Sequence, residues 1–140
     1  MNLWLAAGGA LSALAAATHL AIIVGGPAWY RFFGAGERLS QAAERGSPMP
    51  AVVTVGIATV LAVWSAYAFS GAGLIPRLPL LRFSLVAISA VYLARAFLFV
   101  PALALKGLPV KAFAVWSSLI VLVYGLVHAV GVWQAWDQLG

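Results

Sequence analysis

Four long apolar segments constrain the fold of this chain more than any other feature of its sequence. They cover residues 3–26, 51–69, 80–105 and 112–136, and none contains an aspartate or a glutamate. Each provides roughly the 20 apolar residues that an α-helix needs to cross a bilayer. A helix also satisfies its own backbone hydrogen bonds in lipid. The sequence therefore predicts an all-α, polytopic membrane protein, in which residues 1–140 form a single domain built as a four-helix transmembrane bundle.

The composition agrees with a bilayer as the solvent and excludes several kinds of site. Hydrophobic residues make up 64% of the chain and charged residues 8%, against about 25% charged residues in soluble proteins. The basic residues never cluster, which argues against nucleic acid as a partner. The chain has no cysteine, two histidines and three acids, so we expect no disulfide, no thiol nucleophile and no metal site. The sequence does not identify a cofactor.

The distribution of basic residues predicts the orientation in the membrane. Cytoplasmic loops of membrane proteins carry an excess of lysine and arginine. The first and third connectors lie on one side and carry Arg31, Arg38, Arg45, Lys106 and Lys111, whereas the opposite side carries only Arg77 and Arg82. We therefore expect both connectors in the cytoplasm and both termini on the non-cytoplasmic side, in an inner (plasma) membrane of the bacterial type.

The first connector, residues 27–50, divides into an aromatic part and a polar part. Its aromatic residues surround Arg31 and are typical of a membrane-interface belt; they are Trp29, Tyr30, Phe32 and Phe33. Residues 37–45 predict a short helix on the membrane surface. Arg31, Arg38 and Arg45 recur every seven residues, and we expect them to contact anionic lipid headgroups. The alternative is a solvated polar loop that only follows the orientation rule.

Arg95 is the residue that most strongly indicates a functional site. It lies ten residues from the end of the third segment, which is roughly 15 Å at 1.5 Å per residue. An uncompensated arginine at that depth costs from about 3 to more than 10 kcal/mol, and no segment offers an acid to pair with it. Helical side chains lean toward the N-terminus of their own helix, so we expect Arg95 to point away from the nearer helix end. The alternative role is structural, tying helices together through carbonyls and water.

Other polar residues recur at helical spacing and predict a shared interior. On the third segment Ser89 and Tyr92 precede Arg95 at intervals of three, and on the fourth Ser117, Tyr124 and His128 form a narrow stripe. On the first segment His19 belongs to a stripe of mostly small residues, namely Gly8, Ser12, Ala15 and Gly26, which favours close helix approach.

If these faces converge, Tyr92, Tyr124, His128 and His19 line a ligand site around Arg95. At 1.5 Å per residue, Tyr67 of the second segment lies at the height of His128. A hydrogen-bonded conduit and simple helix-packing contacts are the alternatives. The two histidines differ in height by roughly 13 Å on the same rise, which argues against a haem held by both.

The stretch from Val91 to Trp116 resembles the MAPEG family of small four-helix membrane proteins of glutathione and eicosanoid metabolism, which are usually trimeric. The similarity rests on Tyr92-Leu93-Ala94-Arg95, Pro101, Gly107-Leu108-Pro109 and Lys111. It implies that Arg95 binds a glutathione-like anion. The family's Arg-x-x-x-Asn-x-x-Glu signature at the start of the second span is absent, because the chain has no asparagine after Asn2. Leu98 stands where the family has a tyrosine.

These observations favour a membrane protein that binds an anionic or amphipathic ligand, or a lipid headgroup, at a buried site around Arg95. Membrane lipids are the expected partners, and a homo-oligomer or a larger membrane complex is the expected assembly, because an uncompensated arginine invites contacts between subunits. Two alternatives stay open. One is a MAPEG-like, glutathione-dependent membrane enzyme, and the other is an accessory structural subunit of a larger membrane complex.

Overall fold

The structure is a computed structural model that describes residues 1–140. The chain is 81% helical and has no strands. Its helices are α1 (Leu3–Gly25), α2 (Pro27–Phe32), α3 (Glu37–Glu44), α4 (Met49–Ala72), α5 (Leu81–Leu105), α6 (Ala112–Gln134) and α7 (Trp136–Leu139). Four of them, α1, α4, α5 and α6, have 23 to 25 residues and are apolar enough to cross a membrane. The prediction of an all-α, four-helix membrane protein is confirmed.

The long helices differ from the predicted segments mainly at their ends. Helix α4 begins at Met49 and ends at Ala72, five residues more than the predicted segment 51–69. Pro50 falls in its first turn, where the missing N–H of a proline costs nothing. Helix α6 ends at Gln134, and a separate short helix, α7, follows from Trp136. The connector between α5 and α6 turns at Gly107, which has a φ of +68° that favours glycine over other residues.

The chain forms two compact units, and the first comprises residues 1–12 and 64–140. In this unit α5 and α6 run antiparallel and pack along their length. Leu5 of α1 is completely buried and lies against Gly131 of α6 and Gly71 of α4, where a Cβ would come within 3 Å of its side chain. Small residues therefore let these helices approach closely, as is common in membrane helix packing.

Two arginines of this unit bind the carbonyls at its C-terminal end. Arg77 donates from Nη1 to the carbonyl oxygen of Gln138 at 3.0 Å and from Nη2 to that of Leu139. Arg82 donates to the carbonyl of Trp136 at 2.6 Å, and its guanidinium carbon lies 4.5 Å from the centre of a Trp136 ring. These bonds satisfy backbone groups that a helix end leaves without an intrahelical partner.

The second unit comprises residues 13–63. The predicted short helix of the first connector is present as α3, one residue shorter than expected. The aromatic segment before it forms α2, in which Phe32 is 71% exposed but Tyr30 only 4%. The Tyr30 hydroxyl shares a hydrogen bond of 2.9 Å with Thr54 of α4. Tyr30 is therefore a packing residue that fixes α2 to α4, and the expectation that it belongs to an interface belt is wrong.

Candidate functional site

The side chain of Arg95 extends from α5 to α6, where its partners are uncharged groups. Its Nη1 donates to the hydroxyl of Ser118 at 3.1 Å and its Nη2 to that of Ser117 at 3.2 Å. The guanidinium carbon lies 3.8 Å from the ring centre of Phe99, one turn further along α5, a distance at which a cation interacts favourably with the ring face. We call Arg95, Phe99, Ser117 and Ser118 the Arg95 site.

The direction of the Arg95 side chain differs from the sequence-based expectation. Phe99 lies six residues before the end of α5, and Ser118 lies six residues after the start of α6. The guanidinium is therefore about 9 Å from those two helix ends, at 1.5 Å per residue, whereas the Cα of Arg95 is about 15 Å from the end of α5. The expected lean toward the N-terminus of α5 is wrong, because the Ser117 and Ser118 hydroxyls and the Phe99 ring lie in the other direction.

Several hydrogen-bond donors of the Arg95 site have no partner in the structure. A guanidinium has five N–H groups, and two of them are bonded to serine. Ser117 donates its own proton to the carbonyl of Ala114 at 3.1 Å. The buried Ser118 accepts from Arg95, and its own O–H is free to donate elsewhere. Three N–H groups of Arg95 therefore have no protein partner, and no carboxylate of this unit is paired with them.

Tyr92, Tyr124 and His128 come together as predicted, in a group that we call the tyrosine–histidine cluster. The ring centre of Tyr92 is 5.6 Å from that of Tyr124 and 5.0 Å from that of His128. On its other side Tyr92 meets Trp64 of α4 edge to face at 5.1 Å. Its hydroxyl shares a hydrogen bond of 2.7 Å with the fully buried Ser12 of α1. The cluster thus joins four helices by direct contact.

His128 is completely buried, and its ring is fixed from two sides. Nδ1 lies 2.7 Å from the carbonyl oxygen of Tyr124, so Nδ1 carries the proton that this bond requires. Nε2 has no hydrogen-bond partner in the structure and faces Gly8 of α1, where a Cβ would come within 2.9 Å of it. The space beside Nε2 is filled by the backbone of α1, which makes His128 a packing residue of this unit.

Two further residues of the predicted interior have local partners. His19 lies in the second unit, where its Nδ1 is 2.7 Å from the carbonyl oxygen of Ala15 in the preceding turn of α1. The Tyr67 hydroxyl donates to the carbonyl of Pro79 at 3.2 Å, in an exposed position. Tyr67 therefore binds the connector between α4 and α5, and its predicted place in a polar interior is wrong.

The three arginines of the first connector have different surroundings. Arg31 forms an ion pair with Glu44 and a longer one, at 3.6 Å, with Glu37. The hydrogen bond with the Glu44 carboxylate raises the pKa of Arg31 above its ordinary value. Arg38 and Arg45 are exposed. The exposed positive charge of this connector for which the structure gives no ion pair therefore comes from Arg38 and Arg45.

Two clefts lie in the first unit, at the end where the N-terminus and the C-terminus are. One, of about 350 Å³, is lined by polar residues that include Asn2, Ser70, Arg77 and Gln138. The other, of about 410 Å³, is lined by Asn2, Trp4, Gln134 and Gln138 among others. Arg77 already binds two backbone carbonyls there. The clefts lie at the opposite end of α5 and α6 from the Arg95 site.

Three residues of the Arg95 site and of the surroundings of the tyrosine–histidine cluster were not predicted from the sequence. Ser118 directly follows Ser117, and its spacing of seven residues to Gly125 could have placed it on the packed face of α6. Phe99 lies four residues after Arg95, the spacing at which helical side chains meet. Nothing in the sequence marks Trp64 as the neighbour of Tyr92, because their contact depends on how α4 packs on α5.

Comparison of the chain with protein-family models, with curated proteins and with solved structures finds no match.

Proposed function

We propose that this protein binds an anionic or amphipathic ligand, such as a lipid headgroup, at the Arg95 site. The observation that supports this most directly is a guanidinium within a membrane helix whose protein partners are two serine hydroxyls and a phenylalanine ring. Neutral partners reduce the cost of burying the charge but leave it uncancelled. A charge in this position is commonly part of a binding site or a transport pathway.

The chemistry of the site favours an oxyanion. Arginine presents its N–H groups in a planar fork that matches a carboxylate or a phosphate. Ser118 adds a hydroxyl that can donate to the same anion. Ser117 positions the fork, because it accepts from Arg95 while donating to α6. The ion pair formed on binding would be stronger than in water, since the local dielectric constant is low.

We assign a supporting role to the tyrosine–histidine cluster. Tyr92 lies one turn before Arg95 on α5, and it contacts Ser12, Tyr124 and His128 on two other helices. These contacts fix the rotation of α5 and therefore the direction in which Arg95 leaves the helix. Membrane lipids are the proposed partners, and a homo-oligomer in the inner membrane is the proposed assembly.

The proposal is tested by identifying what co-purifies with the protein. Wild type, Arg95→Gln and Arg95→Leu are purified in mild detergent and analysed by native mass spectrometry. We expect an anionic species to be retained by wild type and lost from both variants. Lys106→Gln, which removes one positive charge at the end of the same helix, is the matched control and should retain it. Equal retention in Arg95→Leu would show that Arg95 does not hold the retained species, and a higher melting temperature of that variant would show that the fold does not need Arg95 either.

The resemblance to the MAPEG family supports a second candidate, a glutathione-dependent membrane enzyme in which Arg95 binds the glutathione anion. Purified protein incubated with glutathione and an aromatic electrophile should then form the thioether, and Arg95→Gln should not. If no product forms above the uncatalysed rate, the enzymatic function is excluded and only the proposed ligand-binding function remains. Isolation of the native protein with a fixed partner protein would instead favour an accessory subunit.

A further inference from the structure

The position of Arg95 on the circumference of α5 determines from which side a ligand can reach it. Tyr92 and Ile88 lie toward the packed face of the helix and are buried. Val91 and Leu98 flank Arg95 on the other side and are 50% and 63% exposed. Arg95 therefore stands at the boundary between the packed interior and an apolar surface. On a membrane-spanning helix, an apolar surface that no helix of this unit covers is available to lipid chains.

The depth of the guanidinium adds a second constraint. Helix α5 has 25 residues and is about 37 Å long at 1.5 Å per residue, against a hydrocarbon core of about 30 Å. A centred helix extends about 4 Å beyond the core at each end, so a guanidinium about 9 Å from the helix end lies about 5 Å inside the hydrocarbon. An anion dissolved in water would lose its hydration shell at that depth with nothing to offset the loss except the site itself, whereas an amphiphile is already held in the bilayer by its apolar chain.

The kind of ligand follows from the same geometry. The phosphate of a zwitterionic phospholipid carries a second charged group, and to reach the depth of Arg95 both groups would have to leave the headgroup layer. An oxyanion attached directly to one long apolar chain meets no such obstacle. Its chain lies along Val91 and Leu98, and its charge faces Arg95 and Ser118.

We infer that the ligand of the Arg95 site is a single-chain anionic amphiphile of the long-chain fatty acid type, which reaches Arg95 sideways from the bilayer. This inference rests on the proposed anion-binding function and specifies its ligand. The carboxylate accepts from the free N–H groups of Arg95 and from the Ser118 hydroxyl, and the alkyl chain stays in contact with lipid-facing side chains.

A spin-labelled long-chain fatty acid provides the test. The protein is reconstituted in phosphatidylcholine vesicles, and the motionally restricted fraction of the label is measured by electron paramagnetic resonance and displaced with unlabelled hexadecanoate. We expect Arg95→Gln to weaken the specific binding at least tenfold and Ser118→Ala to weaken it several-fold. Arg95→Lys, which keeps the charge, should retain part of the binding and shows that the fold tolerates substitution at this position.

A further variant supplies the anion within the chain. Leu98→Glu places a carboxylate three residues after Arg95, where helical side chains can pair. We expect it to compete with the fatty acid and abolish the restricted fraction, while keeping the elution profile of wild type. Lys106→Gln should bind as wild type does.

Competition by soluble anions distinguishes specific binding of a fatty acid from the general anion binding that we propose for the Arg95 site. Inorganic phosphate and glutathione are titrated in the same vesicles as competitors. Displacement of the fatty acid at comparable concentrations, or Arg95-dependent binding of these anions without any fatty acid binding, would overturn the lipid-phase ligand and leave the anion site standing. Fatty acid binding that is equal in wild type and Arg95→Gln, with no binding of either soluble anion, would overturn both.

Discussion

At the scale of single residues, the polar side chains of this protein are placed by close backbone approach as much as by hydrogen bonds. His128 is completely buried although Nε2 has no partner. The close approach of Gly8 leaves no room for a water molecule or a larger side chain beside that nitrogen, so the unpaired acceptor carries the desolvation cost of a buried polar group. The bond from Nδ1 to the Tyr124 carbonyl and the packing against Tyr92 prevent the ring from turning away.

Gly8→Ala is therefore expected to destabilise the protein. The added Cβ would lie 2.9 Å from Cε1 and Nε2 of His128, and overpacking of this kind costs about 1–3 kcal/mol. Gly56→Ala is the matched control, since a Cβ there meets nothing within 4 Å and alanine has the higher helix propensity. Thermal unfolding in detergent should show a lower midpoint for Gly8→Ala and an unchanged or higher midpoint for Gly56→Ala.

The His128→Ala background identifies the cause. If the histidine ring is the obstacle, Gly8→Ala should cost nothing further once the ring has been removed. An equal loss of stability in both backgrounds would mean that the added methyl group is opposed by something other than His128.

At the scale of secondary-structure elements, the short helix α7 is held in place by two arginines that bind its backbone carbonyls. Helix α7 has only four residues and could not persist alone, because helix nucleation is costly. Arg77 and Arg82 bind three of the carbonyls near its end. These two arginines are the basic residues that the orientation argument counts on the non-cytoplasmic side, and the structure uses them to dock α7.

Arg77→Gln is expected to loosen α7 while leaving the long helices unchanged. Two charge-assisted bonds to the carbonyls of Gln138 and Leu139 are lost. Hydrogen exchange in detergent should then become several-fold faster at the backbone amides of residues 136–140 and stay constant in α5 and α6, since local opening can be independent of global unfolding. Arg45→Gln, at an exposed position of the second unit, should change neither rate. Unchanged exchange in Arg77→Gln would mean that Arg82 and the packing of Leu139, which is 2% exposed, hold α7 without Arg77.

At the scale of the whole molecule, hydrophobicity and charge predict the membrane topology, and the prediction can be tested directly because the chain has no cysteine. A single cysteine introduced at Ser47 lies in the first connector, and one at Gly73 lies in the second. With five basic residues on the first side and two on the other, the positive-inside rule predicts that a membrane-impermeant maleimide labels Gly73→Cys in intact cells. Ser47→Cys should react only after the cells are opened. The reverse pattern would invert the proposed orientation.

The sequence was sufficient for the features that depend on composition and period, and insufficient for those that depend on packing. The four long helices and α3 could be predicted because apolar length and polar patterning determine them. Helical spacing predicted that Tyr124 and His128 share one face of α6 and that Tyr92 lies on the polar face of α5, but the contact between these faces was only a condition of the predicted site. The direction of Arg95 could not, because it depends on Ser117 and Ser118, which are more than 20 residues away in the chain and come close only when α5 packs antiparallel to α6. Tyr30 was misread for the same reason, since its partner Thr54 lies on another helix.

The antiparallel pairing of Arg95 with Ser117 and Ser118 has a consequence for the biogenesis of this protein. As α5 leaves the ribosome, its arginine has no serine to bind, and insertion scales assign such a residue a penalty of about 2.5–3.5 kcal/mol. The hydroxyls that relieve this penalty emerge only when α6 has been synthesised. The full set of partners of Arg95 therefore forms only after α6 has been synthesised and has packed against α5.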